Sequence, residues 1–92
     1  MRSMITPRIA AQKKDYSSTS VQSSAFGAST HLVRLVATTN CYVAFGTDPT
    51  ADTSSLLLIA NVPEFFGVKP GEKVAVLRSA SDGTLSIAEG LA

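Results

Sequence analysis

Ninety-two residues, 45% of them apolar and only 16% charged, fit a single domain with a thin core, because a chain this short buries only about 60 to 65% of its unfolded surface. The formal charge of +1 excludes the strong basic excess usual in nucleic-acid-binding domains, and the longest apolar run, residues 56–60, is too short to span a bilayer. A lone Cys41 excludes an internal disulfide, so the fold stands without covalent staples, as suits production in a reducing compartment.

Residues 1–14 carry Arg2, Arg8, Lys13 and Lys14 with no acid, and no apolar stretch of signal-peptide length follows these charges. Residues 16–30 are dominated by Ser and Thr, with isolated Val21 and Phe26. Such a composition buries little apolar area, so residues 1–30 are expected to form an extended arm outside the body, ordered by whatever lies against it. Within the arm, residues 20–26 can add an edge strand, with Val21, Ser23 and Ala25 on one side. The four cations and Tyr16 are the arm's candidate partner contacts.

The body, residues 31–92, reads as all β. In residues 31–37, Leu32, Arg34 and Val36 alternate with Val33, Leu35 and Ala37, a strand that is mixed on one face and apolar on the other. Residues 40–46 put Cys41, Val43 and Phe45 on one side, and the short 38–39 spacer predicts that the two strands form a hairpin. Pro49 and Asp48 mark residues 46–53 as a loop. Residues 54–60 are open to two readings, a short helix capped by Asp52 or Thr53 and a buried strand over Leu56 to Ile59; length favours the strand.

A strand follows Pro63, and there the adjacent Phe65 and Phe66 must point to opposite faces. One belongs inside; the other is a candidate partner anchor. Residues 69–72, Lys-Pro-Gly-Glu, carry Pro and Gly where a type II turn wants them. Residues 73–79 then alternate Val74 and Val76 with Ala75 and Leu77, and a hairpin turn at residues 81–83 leads to residues 84–89 with Leu85 and Ile87 inward. The fold expected is a small β-sandwich or jelly-roll-like barrel of six to seven short antiparallel strands.

Motifs for chemistry are missing: the sequence has no phosphate-binding Gly-rich loop, paired-Cys pattern, zinc-binding His-Glu motif or nucleophile elbow. His31 lacks a second His or an adjacent carboxylate and is read as an edge or interface residue. Cys41 shares a strand face with Val43 and Phe45 and is read as a buried thiol. Asp48 and Asp52 match no compact calcium loop and are read as turn formers. No catalytic residue, metal or cofactor is therefore assigned.

The stretches at residues 31–37, 40–46 with Asp48-Pro-Thr-Ala, 62–77, and the closing Asp82-Gly-Thr-Leu-Ser-Ile-Ala-Glu resemble small β-rich virion proteins of tailed bacteriophages. The resemblance covers roughly residues 30–90 and rests on packing motifs. It implies a non-enzymatic structural subunit located in the virion, either a capsid decoration or cement protein bound to the major capsid protein or a head-to-tail connector or tail component. Such a protein contacts other virion subunits and copies of itself; separately, the short apolar runs argue against a membrane role and the +1 charge against nucleic acid as the main target. A stand-alone glycan- or nucleic-acid-binding module is the rival class.

Replacing Val76 by Asp is expected to abolish folding, because an unpaired charge in a strand interior is costly. Loss of the cooperative unfolding transition in circular dichroism checks this, and a normal melt would mean the inward face is misassigned.

Overall fold

A computed structural model describes residues 10–90 and shows eight strands in two four-stranded antiparallel sheets. The strands are β1 (Ala10–Tyr16), β2 (Val21–Gln22), β3 (Leu32–Ala37), β4 (Cys41–Gly46), β5 (Leu56–Leu58), β6 (Glu64–Gly67), β7 (Lys73–Arg78) and β8 (Gly83–Gly90). The first sheet has the order β1-β8-β3-β6 and the second β2-β7-β4-β5. Their facing sides make a small β-sandwich, as the alternating patterns predict. Val33, Leu35 and Ala37, Leu85 and Ile87, Val74 and Val76, Cys41 and Val43 are all buried, and Leu58 joins them from β5. Each fully buried aliphatic side chain of this size stabilises the fold by roughly 1.5–3 kcal/mol.

The type II turn also forms where it was expected. The Glu72 N–H donates to the Lys69 carbonyl at 3.1 Å, and Gly71 has φ 83°, a conformation that glycine adopts without the Cβ penalty.

Both expected hairpins are absent. The strand over residues 31–37 and its successor lie in different sheets, as do β7 and β8. The chain in fact changes sheet at every connection except β4 to β5. A short polar connection permits either outcome, since three extended residues reach about 10 Å, the distance between packed sheets. At one end of the sandwich two such connections, residues 38–40 and 79–82, bond to one another. The Ser79 N–H donates to the Asn40 carbonyl and the Thr39 hydroxyl to the Ser81 carbonyl, while the Thr38 N–H reaches past the second connection to the Thr84 carbonyl of β8.

The boundary expected at residue 30 is also corrected for the part of the arm that the structure describes. β1 pairs with β8 over seven consecutive residues, from Ala10 opposite Glu89 to Tyr16 opposite Gly83. β2 is the edge strand anticipated within residues 20–26, shortened to two residues against β7. Tyr16 and Phe26 belong to the core. The low apolar content of this stretch is offset by backbone ladders and by side-chain clamps: Gln12 accepts from the Ser24 N–H at 3.0 Å, and the buried Glu89 carboxylate accepts from the Gly27 N–H and the Thr30 hydroxyl. Residues 10–30 thus complete the sandwich, and the strand count rises from the six or seven expected to eight.

Residues 54–60 hold a strand, but an edge strand in which only Leu58 is buried. The loop before it folds back over the second sheet. Gln22 donates to Asp48 and to the Pro49 carbonyl, Ser20 accepts from the Ala51 N–H, and the outward-facing Ala75 is fully covered beneath.

Gly83 has no room for a side chain, because an added Cβ would stand 2.5 Å from the Tyr16 hydroxyl, 2.5 Å from the Thr39 hydroxyl and 2.7 Å from that of Thr38. Gly83→Ala should therefore cost about 1–3 kcal/mol of stability, as overpacking does. Urea unfolding of this variant checks the crowding; an unchanged midpoint would refute it.

Candidate interaction face

The two long edges of the sandwich differ in chemistry. On the β1–β2 side, Gln12, Ser24, Gly27, Thr30 and Glu89 close the gap between the sheets with hydrogen bonds. On the β5–β6 side, Leu56, Leu57, Ile59, Val62 and Phe65 are 42–53% exposed. No residue from 53 to 63 carries a charge. Edge strands are normally guarded by charged side chains or bulges, since their unpaired backbone groups invite another strand. Among the described residues β5 lacks that guard. The connection from β5 to β6 is pinned from beneath, with the Asn61 N–H donating to the Ala37 carbonyl at 2.7 Å and the Ala60 N–H to the Asn40 side chain at 2.8 Å. Asn61 accepts the left-handed backbone there, at φ 62°. The apolar row is thus held on a firm backbone.

Phe65 and Phe66 separate as expected. Phe66 turns inward, half-buried, with its ring centroid 5.2 Å from that of Phe45 across the sandwich, so it is a packing residue and not a partner anchor. Phe65 lies outward on β6, opposite Arg34 of β3.

Among the other residues singled out from the sequence, Lys13 is exposed on the outer face of the first sheet, whereas Lys14 is half-buried on the face it shares with Tyr16. Arg2 and Arg8 lie outside the described residues. Tyr16 is corrected outright: at 3% exposure it is a core residue. Its hydroxyl donates to the Thr39 carbonyl at 2.8 Å and accepts from the Thr39 N–H at 3.1 Å, which satisfies the one polar atom that would otherwise favour the surface. Arg34 was not singled out, although its place between outward Leu32 and Val36 in an alternating strand already marked it as a solvent-facing cation.

The reactive side chains do not converge. His31 is exposed at the start of β3, whereas Cys41 is fully buried at the start of β4, near the opposite end of β3 and roughly 20 Å away at the rise of an extended strand. Asp52 accepts from the hydroxyl and N–H of Ser54, which hold its carboxyl below the usual range, and Asp48 takes the Gln22 amide, so both acids organise their loop. Among the described residues no group of three His, Cys, Asp or Glu is placed to hold a metal ion, and no helix is long and apolar enough to cross a membrane. No protein family, curated protein or solved structure matches the chain.

Burial pushes the Cys41 thiol from its ordinary value of 9.0 up to about 11, an effect that the Tyr16 side chain partly opposes. Below pH 9 the protonated thiol suits both folded and unfolded chains, and as the pH rises toward 11 only the unfolded chain gains by releasing the proton, so stability falls. Cys41→Val should lose less stability than the native chain between neutral pH and about pH 10.5, as read from denaturant midpoints. Parallel pH profiles for the two proteins would contradict a buried, protonated thiol.

Proposed function

We propose that this chain is a non-enzymatic structural subunit of a tailed-phage virion, a capsid decoration or cement protein that attaches to the major capsid protein through its β5–β6 edge. The observation that carries the reading is the uncharged apolar row from Leu56 to Val62, with Phe65 also exposed on the outer face of β6. A monomer gains nothing from leaving five large apolar side chains half in water beside an unpaired strand edge. Covering them stabilises a complex by roughly 25 cal/mol per Å² of apolar area removed from solvent.

Attachment also suits a thin-cored domain, since a lattice that binds only the folded state stabilises it by mass action. The free edge of β5 can extend the second sheet with a strand from the neighbouring subunit, giving main-chain hydrogen bonds as well as apolar contact. The resemblance to small virion proteins points the same way, and a head-to-tail connector is the second placement within the virion. Symmetry distinguishes them: a shell holds on the order of hundreds of copies, whereas a neck or tail ring holds about six or twelve.

Quantitative mass spectrometry of purified particles whose genome encodes this chain tests the proposal. Copies in shell numbers are expected, and Leu57→Ser combined with Phe65→Ser should reduce occupancy at least about tenfold while leaving the melting temperature of the free protein within a few degrees. Absence of the chain from particles would overturn the reading.

A further inference from the structure

The outer face of the first sheet carries a second feature, which shares only Phe65 with the apolar edge. Cross-strand register places Lys13 opposite Ser86 and Arg34 opposite Ala88, so two cations rise from the strands on either side of β8, whose own outward residues are short. Between them lies a hollow of about 210 Å³ floored by Ala11, Ser86 and Ala88. The strands bearing the two cations are two ladder spacings apart, about 9.6 Å. Among the described residues neither cation pairs with a carboxylate: the ion pair there is Arg78 with Asp82, and Asp15, the acid on the same face further along β1, accepts from the Thr84 hydroxyl of β8. Phe65 stands beside Arg34 in the cross-strand register, on the side of Arg34 away from β8.

We infer that this face binds an extended acidic segment of a partner protein, whose carboxylates engage Lys13 and Arg34 while a neighbouring apolar side chain rests on Phe65. Charge complementarity selects the occupant. Two cations of like sign on a floor of small side chains leave a site that an anion relieves, and a guanidinium takes a carboxylate in bidentate fashion. The hollow is smaller than the roughly 300–1,000 Å³ of small-molecule sites, so it fits one or two side chains better than a metabolite. Single-stranded nucleic acid is served by a row of cations tracking successive phosphates and by several stacking aromatics, whereas this face offers two cations and one Phe. An acidic strand laid across β8 meets both charges at once and needs no more.

Titration of the full chain with a fluorescently labelled synthetic peptide alternating Glu with Val, followed by anisotropy at low ionic strength, tests the inference. The Glu peptide should bind, should weaken with added salt, and should weaken at least about tenfold in the Lys13→Ser, Arg34→Ser double variant, while Lys69→Ser on a distant turn leaves binding unchanged. Circular dichroism melts of the double variant should match the native protein, because both side chains are exposed. Equal binding of a peptide with Gln in place of Glu, undiminished binding by the double variant, or tighter binding of oligothymidylate than of the Glu peptide would each overturn it. Leu57→Ser should leave peptide binding intact, so a failure of the apolar edge and a failure of the basic hollow are separate results.

Discussion

The Tyr16 hydroxyl stands between two connections that carry the chain from one sheet to the other, and the end of the sandwich closes around it. It bonds the Thr39 backbone through both carbonyl and N–H, lies 2.8 Å from the Thr39 hydroxyl, and occupies space that opens only because its cross-strand neighbour is Gly83. Thr38 completes the cluster by accepting from the Thr84 N–H. These contacts join β1, the β3–β4 connection and the start of β8, three places distant in sequence. A buried phenol without them would carry an unsatisfied oxygen at a cost of about 1–3 kcal/mol. With them, the first strand becomes part of the core, and both connections are held as crossings.

This cluster also explains what was legible in the sequence and what was not. Alternation revealed the inward faces of β3, β7 and β8, because a period of two survives any choice of partner. Pro70 and Gly71 revealed their turn because the backbone there admits few alternatives. Partnering was harder. Thr38, Thr39 and Asn40 satisfy a hairpin and a sheet-to-sheet crossing equally well, and the decision rests on Tyr16, more than twenty residues earlier. Gln12 and Glu89 were equally silent, since a polar residue at the end of an alternating run reads as solvent-exposed until its distant partners, Ser24, Gly27 and Thr30, are in place. The same nonlocality predicts slow folding for so small a chain, because most strand pairs must close long loops first.

For function, the consequence is a division of labour between edges. Polar clamps seal the sandwich along β1 and β2, and the loop over Ala75 covers part of the second sheet's outer face. Among the described residues the apolar stretch of residues 56–62 at the β5 edge remains open, as does the outer face of the first sheet with Lys13, Arg34 and Phe65. In the proposed role the apolar edge would supply contact area with little directional preference, and the cations orientation and partner choice. Phe65 belongs to both surfaces. Two adjacent surfaces of complementary character on a rigid small domain suit a subunit that joins others, which is the role proposed.

A double-mutant cycle between Tyr16→Phe and Thr39→Val, read by urea unfolding, tests most directly whether the hydroxyl cluster holds the sandwich end together. The contacts described predict a coupling of about 1–2 kcal/mol between the two sites, since neighbours in one hydrogen-bond network do not act independently. Effects that add within about 0.3 kcal/mol would contradict the account, because they would leave the two crossings without their common tie.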